Sequence, residues 1–143
     1  MAITQSLATS FKVQLMQGTQ NFSSNTFKIA LYTSSATLGP TTTVYSATNE
    51  ITNTAGSAYT AGGNTLTVST VPTSSGTTAF ISFANTSWTN ATFTARGAMI
   101  YNSTNSNACV AVFDFGADKT VVDGTFTITF PTADSTSAII RIA

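Results

Sequence analysis

Ser87-Trp-Thr-Asn-Ala-Thr-Phe-Thr-Ala-Arg-Gly-Ala-Met-Ile-Tyr101 alternates polar and apolar side chains, then turns into a dense apolar run. The polar link Asn102–Asn107 ends it, and Ala108-Cys-Val-Ala-Val-Phe-Asp-Phe115 follows, the most apolar segment of the chain. Two such runs around a short Ser/Asn link predict a β-hairpin at the centre of a β fold. The same stretch holds the only tryptophan, Trp88, and one of five basic residues, Arg96. It therefore carries either a site or a core.

Working outward, Phe27, Ile29 and Leu31 alternate within Thr26–Thr33, and Leu66 and Val68 do so within Asn64–Val71. Phe80 alternates against Ile81 and Phe83 in Thr78–Ala84, and Phe126, Ile128 and Phe130 share a face of Thr125–Phe130. Ser137–Ile142 closes the set, and Thr41–Thr48 reads as a short edge strand around Val44 and Tyr45. Gly39-Pro40, Tyr59–Gly63 and Pro72–Gly76 read as breaks, and Gly116–Gly124 as a charged link. Leu7, Phe11 and Leu15 fall at i, i+4, i+8 before Gly18, so Ser6–Gly18 is the one helix candidate, too short to stand alone. Eight or nine short strands without an internal repeat predict an antiparallel β-sandwich, jelly-roll-like, with a short N-terminal helix. The expected division is a helical arm over residues 1–22 and a sandwich over 23–143.

The chain has 143 residues, 7 % of them charged, against about 25 % in ordinary soluble domains. About a third of the residues are Ser or Thr. Hydroxyls have replaced charge, and β-branched Thr suits a pleated surface. Five basic and five acidic residues balance. That argues against nucleic acid, which needs a basic patch, and against an anionic membrane surface. A surface so poor in charge favours association, so a subunit of an assembly is expected. The start Met-Ala-Ile-Thr-Gln-Ser has no basic segment or apolar run, and no window is apolar enough to span a bilayer. A product kept in the cytoplasm of its cell is expected.

With no histidine and one cysteine, Cys109, placed as a small core hydrophobe, Ser-His and Cys-His nucleophiles and His/Cys zinc sites have no residues to build them. The five carboxylates, Glu50, Asp114, Asp118, Asp123 and Asp134, show no spacing that pairs them as in a glycosidase. Asp114-Phe-Gly matches a kinase magnesium tripeptide by chance, since no phosphate loop or catalytic loop accompanies it. Asp114, Asp118 and Asp123 gather near one link, but not at the alternate positions of a calcium loop, so a solvated turn is the expectation. The sequons at Asn21, Asn85, Asn90 and Asn102 are about as many as chance supplies. No catalytic residue, cofactor or metal is expected.

Arg96 sits among small neighbours, Ala95, Gly97 and Ala98. If the hairpin pairs residues whose numbers sum to 210, Arg96 faces Asp114; one residue off, they lie on opposite faces unless a bulge at Gly97 intervenes. A structural salt bridge is the first reading, and an Arg offered to a neighbouring subunit the second.

Ser10-Phe-Lys-Val-Gln-Leu-Met-x-Gly18, Thr26-Phe-Lys-Ile-Ala-Leu-Tyr-Thr-Ser-Ser-Ala-Thr-Leu38, Tyr59-Thr-Ala-Gly-Gly-x-Thr-Leu66, Trp88-Thr-Asn-Ala-Thr-x-Thr-Ala-Arg-Gly-Ala-x-Ile-Tyr101 and Val112-x-Asp-Phe-Gly116 occur in this order. Together they resemble a family of small virion structural proteins of tailed bacteriophages. The resemblance runs through most of the chain and is most specific over Trp88–Tyr101. It implies a histidine where Gln20 stands and an acidic residue near Asn25, and the chain departs from it there. It implies a particle component without catalysis, first a capsid decoration (cement) protein, with a tail, neck or fibre subunit as the alternative. The partners implied are the chain itself, as dimer or trimer, and the phage major capsid protein, in a virion assembled in the host cytoplasm. Phe11, Leu15 and Phe22 are the expected inter-subunit contact, with Trp88 and Arg96 as core and interface determinants. A sandwich that binds a saccharide or receptor is the competing class, and Tyr45, Tyr59 and Trp88 are its only candidate loop aromatics.

Overall fold

Residues 1–54 and 56–143 are described by the computed structural model. The hairpin is its backbone. β6 (Thr86–Asn102) and β7 (Ala108–Ile128) pair antiparallel along almost their whole length. β6 keeps the alternation its sequence shows: Trp88, Ala91, Phe93 and Ala95 are buried, and Ser87, Thr89, Thr92 and Thr94 are exposed. On the exposed side, Ser87 pairs with Thr127 and Thr94 with Thr120 through hydroxyls 2.9 and 2.8 Å apart. Such cross-strand hydroxyl pairs hold a sheet face without charge.

β2 (Phe27–Tyr32) lies against β6 on one side and β3 (Asn64–Leu66) on the other. A strand hemmed in this way is buried on both faces, which is why every β2 residue except Lys28 is buried. β1 (Ser6–Leu7) adds to the free side of β7, giving the order β1-β7-β6-β2-β3. The second sheet is β4 (Val68–Ser75), β5 (Thr78–Phe83) and β8 (Ile140–Ile142). The two antiparallel sheets, with one short helix, α1 (Thr9–Gln17), make the all-β sandwich the alternation predicts. The eight strands divide five and three around one long hairpin.

Two aromatic rows run through the core, and the first joins the layers. Phe22 stacks on Phe27 at 4.6 Å and meets Phe11 at 5.9 Å, while Phe83 links Phe27 to Phe130. The other row runs from Tyr59 through Trp88 and Phe93 to Phe126 and Phe115. Burying one such ring contributes roughly 1.5–3 kcal/mol.

Several expectations need correction. Gly116–Gly124 is no link: β7 runs through it, and Thr125–Phe130 is largely the continuation of the same strand. Gly116, Asp118 and Asp123 lie in bulges within the strand, whereas Lys119 and Gly124 pair with Ala95 and Ala91. Asn64–Val71 is not one strand either, because it changes sheets at Thr67. Pro72 does not break the pattern. β4 passes through it as an edge strand with a register shift between Thr70 and Thr73, where a missing N–H costs no ladder bond. Thr41–Thr48 forms only a single bridge, Val44 with Ala108.

The N-terminal arm is part of the domain. Ser6 and Leu7 pair with Val112 and Ala111, Ile3 bridges Leu38, and Phe11 is fully buried. Gly18 ends α1 as expected, at φ +74°, with Thr19 N–H reaching back to the Gln14 carbonyl. Among the described residues, no helix is long and apolar enough to cross a membrane.

Candidate functional site

β6 and β7 do not run in one register. Near the turn Asn102 faces Ala108, farther on Gly97 faces Asp114, and Ala95 faces Lys119. Opposite the single residue Arg96, β7 therefore carries Phe115, Gly116, Ala117 and Asp118. This wide bulge turns at Gly116, whose φ is +78°, a conformation costly for any residue with a Cβ.

Asp114 pins the bulge. Its Oδ1 accepts hydrogen bonds from Arg96 Nε and from the Gly116 N–H, both at 2.9 Å. The Arg96 hydrogen bond, then the Gly116 N–H, hold the Asp114 carboxyl below the usual carboxylate range. Asp114 in turn raises Arg96, with a smaller push from Asp118. The side chains are about a third exposed, so this is a surface pair that shapes backbone rather than a buried charge. Gly97 beside it has a different reason to be small: a Cβ there would stand 2.8 Å from Ile3 Cδ1 and 2.5 Å from the Phe113 carbonyl.

Where β7 bends away, it leaves a cleft of about 560 Å³. Phe113, Phe115, Phe126, Ile128, Phe130 and Ile139 line it, all only half-buried. Asp114 and Lys119 stand in its wall. Elsewhere, Val13 and Met16 are exposed together on α1 and Val71 on β4, and a smaller apolar cleft of about 240 Å³ lies between Leu15, Phe22, Phe80 and Ile140.

The residues expected at an interface fall otherwise than anticipated. Phe11 and Phe22 are spent inside this chain, at 0 and 8 % exposure, and Leu15 is half-buried against the same core, while Trp88, at 4 %, is the core residue of the pair read with Arg96. On α1 it is Val13 and Met16 that face outward. Arg96 alone of the five stands at a surface feature. Trp88 Nε1 is buried without a hydrogen-bond partner, so its position is set by ring packing.

A polar centre that the sequence hid lies at Glu50, which is 5 % exposed. Its Oε1 accepts from Tyr59 OH at 2.6 Å and Gly62 N–H at 2.7 Å, and its Oε2 from Tyr45 OH at 2.6 Å. Tyr59 OH also accepts from Leu31 N–H, Tyr101 OH donates to the Gly62 carbonyl, and Tyr32 OH to the Ser46 carbonyl. Tyr32, Tyr59 and Tyr101 thus tie the residues around Glu50 to β2 and β6, and Tyr45, stacked on Tyr101, completes the centre. Burial, with Glu50 adding, pushes Tyr101 up to about 12 and the other three phenols further. Gly63, at φ +73°, lets the turn lie on β2, since a Cβ would collide with the Ile29 carbonyl.

A second buried network closes the hairpin turn. Asn102 Nδ2 donates to Gln20 and Asn25, each at 2.8 Å, and its Oδ1 accepts from the Thr104 and Asn105 N–H groups.

Of the link aspartates, Asp114 holds Arg96, Asp123 meets the Thr92 hydroxyl, and Asp118 is exposed. Among the described residues no group of three metal-ligand side chains converges. Burial pushes the Cys109 thiol up to about 12, which disfavours the nucleophilic thiolate. No known protein family, curated protein or solved structure matches the chain.

Proposed function

We propose that the chain is a structural subunit of a tailed-bacteriophage virion, a decoration (cement) protein that binds the major-capsid lattice as a homo-oligomer. The observation that carries this reading is the contrast between a closed interior and the open apolar cleft on β7. Glu50, Cys109 and the tyrosines are committed to holding the fold, whereas six half-buried apolar side chains are left for a partner protein. The hydroxyl-paired, nearly charge-free sheet face suits packing in a crowded shell. The resemblance centred on Trp88–Tyr101 supplies the kind of particle.

The mechanism is mechanical. Each copy bridges capsid subunits, buries area that exists only in the assembled lattice, and stabilises that lattice by linkage. A tail, neck or fibre subunit uses the same chemistry on another lattice. The saccharide-binding alternative loses support, because Tyr59 and Trp88 are core residues and Tyr45 is stacked on Tyr101 at 4.5 Å. Mixing the purified protein with expanded and unexpanded shells tests the reading. Saturable binding to expanded shells, with a raised shell melting temperature, is expected. Binding to neither shells nor tails would refute it.

A further inference from the structure

The sheet edges are poor templates for another strand: β1, β3 and β8 are only two or three residues long. β4 carries Pro72 and a register shift, and the free side of β7 is broken at the Phe115–Asp118 bulge and again at Asp123, whose φ is +45°. Bulges, proline and charge on an edge oppose strand addition. Contact with a partner therefore falls to side chains, and the cleft on β7 is where apolar ones are concentrated.

The charges beside the cleft say what that partner is. Asp114 and Lys119 are in its wall, Arg96 is bonded to Asp114, and Asp118 is next to Lys119. Asp118 also lies close enough to act on Arg96, so four of the ten formal charges of the protein gather beside the cleft, two of each sign. A partner of a single sign would meet as much repulsion as attraction there. A rim with both signs is instead complementary to itself when turned through a twofold axis. Arg96 and Asp114 satisfy each other, and theirs is the only ion pair among the described residues. That leaves Asp118 and Lys119, one anion and one cation, to pair reciprocally across such an axis. An apolar centre with a polar rim is the usual anatomy of a protein interface.

We propose that the cleft is a docking surface for a second copy of this chain, in a twofold dimer. Phe115 and Phe126 pack at its centre, and Asp118 of each copy meets Lys119 of the other. The inference rests on the homo-oligomeric reading above and gives that reading its surface.

Sedimentation velocity of the full chain over a concentration series tests it, with near-ultraviolet circular dichroism of Trp88 to check folding. The wild type is expected to dimerise, and Phe115→Asp to weaken the dimer by about tenfold or more. Asp118→Lys and Lys119→Asp, both at exposed sites, should each weaken it, and the double variant should restore it because the two charges are exchanged on both copies. Carbodiimide coupling should join Asp118 of one copy to Lys119 of the other. A wild type monomeric at its solubility limit, a dimer indifferent to all three variants, or a monomer whose cleft holds a co-purified amphiphile by native mass spectrometry would each overturn the proposal. A monomer that still binds shells would leave the virion reading standing; a dimer split by the variants that binds no shell would leave the dimer and remove the virion reading.

Discussion

Arg96 Nε lies 2.9 Å from Asp114 Oδ1, although the residue opposite Asp114 in the ladder is Gly97. The pair survives a register one residue off because Arg96 stands alone against a bulge of four β7 residues and is free to lean toward the neighbouring rung. One carboxylate oxygen therefore fixes both a side chain across the sheet and the turn at Gly116.

This has a pH signature. A carboxyl whose folded-state pKa is depressed stabilises the fold above its unfolded value, near 3.9, and that contribution is lost as the pH falls through the folded value. NMR titration should find Asp114 below the ordinary aspartate range in the wild type and closer to it in Arg96→Met. The stability difference between the two proteins should be present at neutral pH and shrink on acidification. A difference unchanged down to pH 2 would contradict the assignment.

Glu50 is the polar residue most costly to lose. Glu50→Ala leaves three donors, from Tyr45, Tyr59 and Gly62, without their acceptor in a buried place, a loss on the order of 3 kcal/mol or more. Glu50→Gln keeps one oxygen for Tyr59 and Gly62, and Tyr45 can turn its hydroxyl to accept. Urea unfolding should rank wild type above Gln, and Gln well above Ala. Equal losses for the two variants would show that the hydrogen bonds are not what Glu50 contributes.

The tyrosines report the same knot from the alkaline side. All four phenols are raised, so their contribution is complete below the ordinary value near 10 and is lost as pH rises through the folded values, Tyr101 first at about 12. Phenolate absorbance should therefore appear late and together with unfolding. A tyrosine that titrates near 10 in the folded protein would break this account of the 45–62 segment.

On the N-terminal segment, Phe11→Ala should cost about 3–5 kcal/mol, as for any buried phenylalanine. Met16→Glu, at a side chain 82 % exposed, should move stability by less than about 0.5 kcal/mol. Deleting residues 1–22 is expected to unfold the sandwich, not merely to release a contact arm. A folded deletion variant with the melting temperature of the full chain would restore the idea of a separate arm.

The strands with strict alternation were readable because one buried face imposes a period of two, as Phe27, Ile29 and Leu31 show. β7 was readable only to Phe115, since the bulge residues and the charges at Asp118, Lys119 and Asp123 imitate a loop. The change of sheet at Thr67 leaves no mark, because alternation continues through it. Phe11 and Phe22 look free for a partner in a one-dimensional reading, and only the packing against Phe27 and Phe83 shows them spent. The Glu50 centre has no local signal at all: its donors come from residues 45, 59 and 62, and a lone acid in a polar stretch reads as surface. Arg96 was the exception, singled out by its small neighbours and its distance from Asp114 along the chain.

The central claim is that this protein is a structural part of a phage particle, and a cryo-EM map of that particle tests it most directly. The account predicts density for the two-sheet sandwich at symmetry-related sites on the outside of the capsid lattice, with the Phe115–Asp118 bulge at a contact between copies. A complete particle in which the protein is absent, or is present only at the tail, would contradict the decoration assignment, and absence would contradict the structural role altogether.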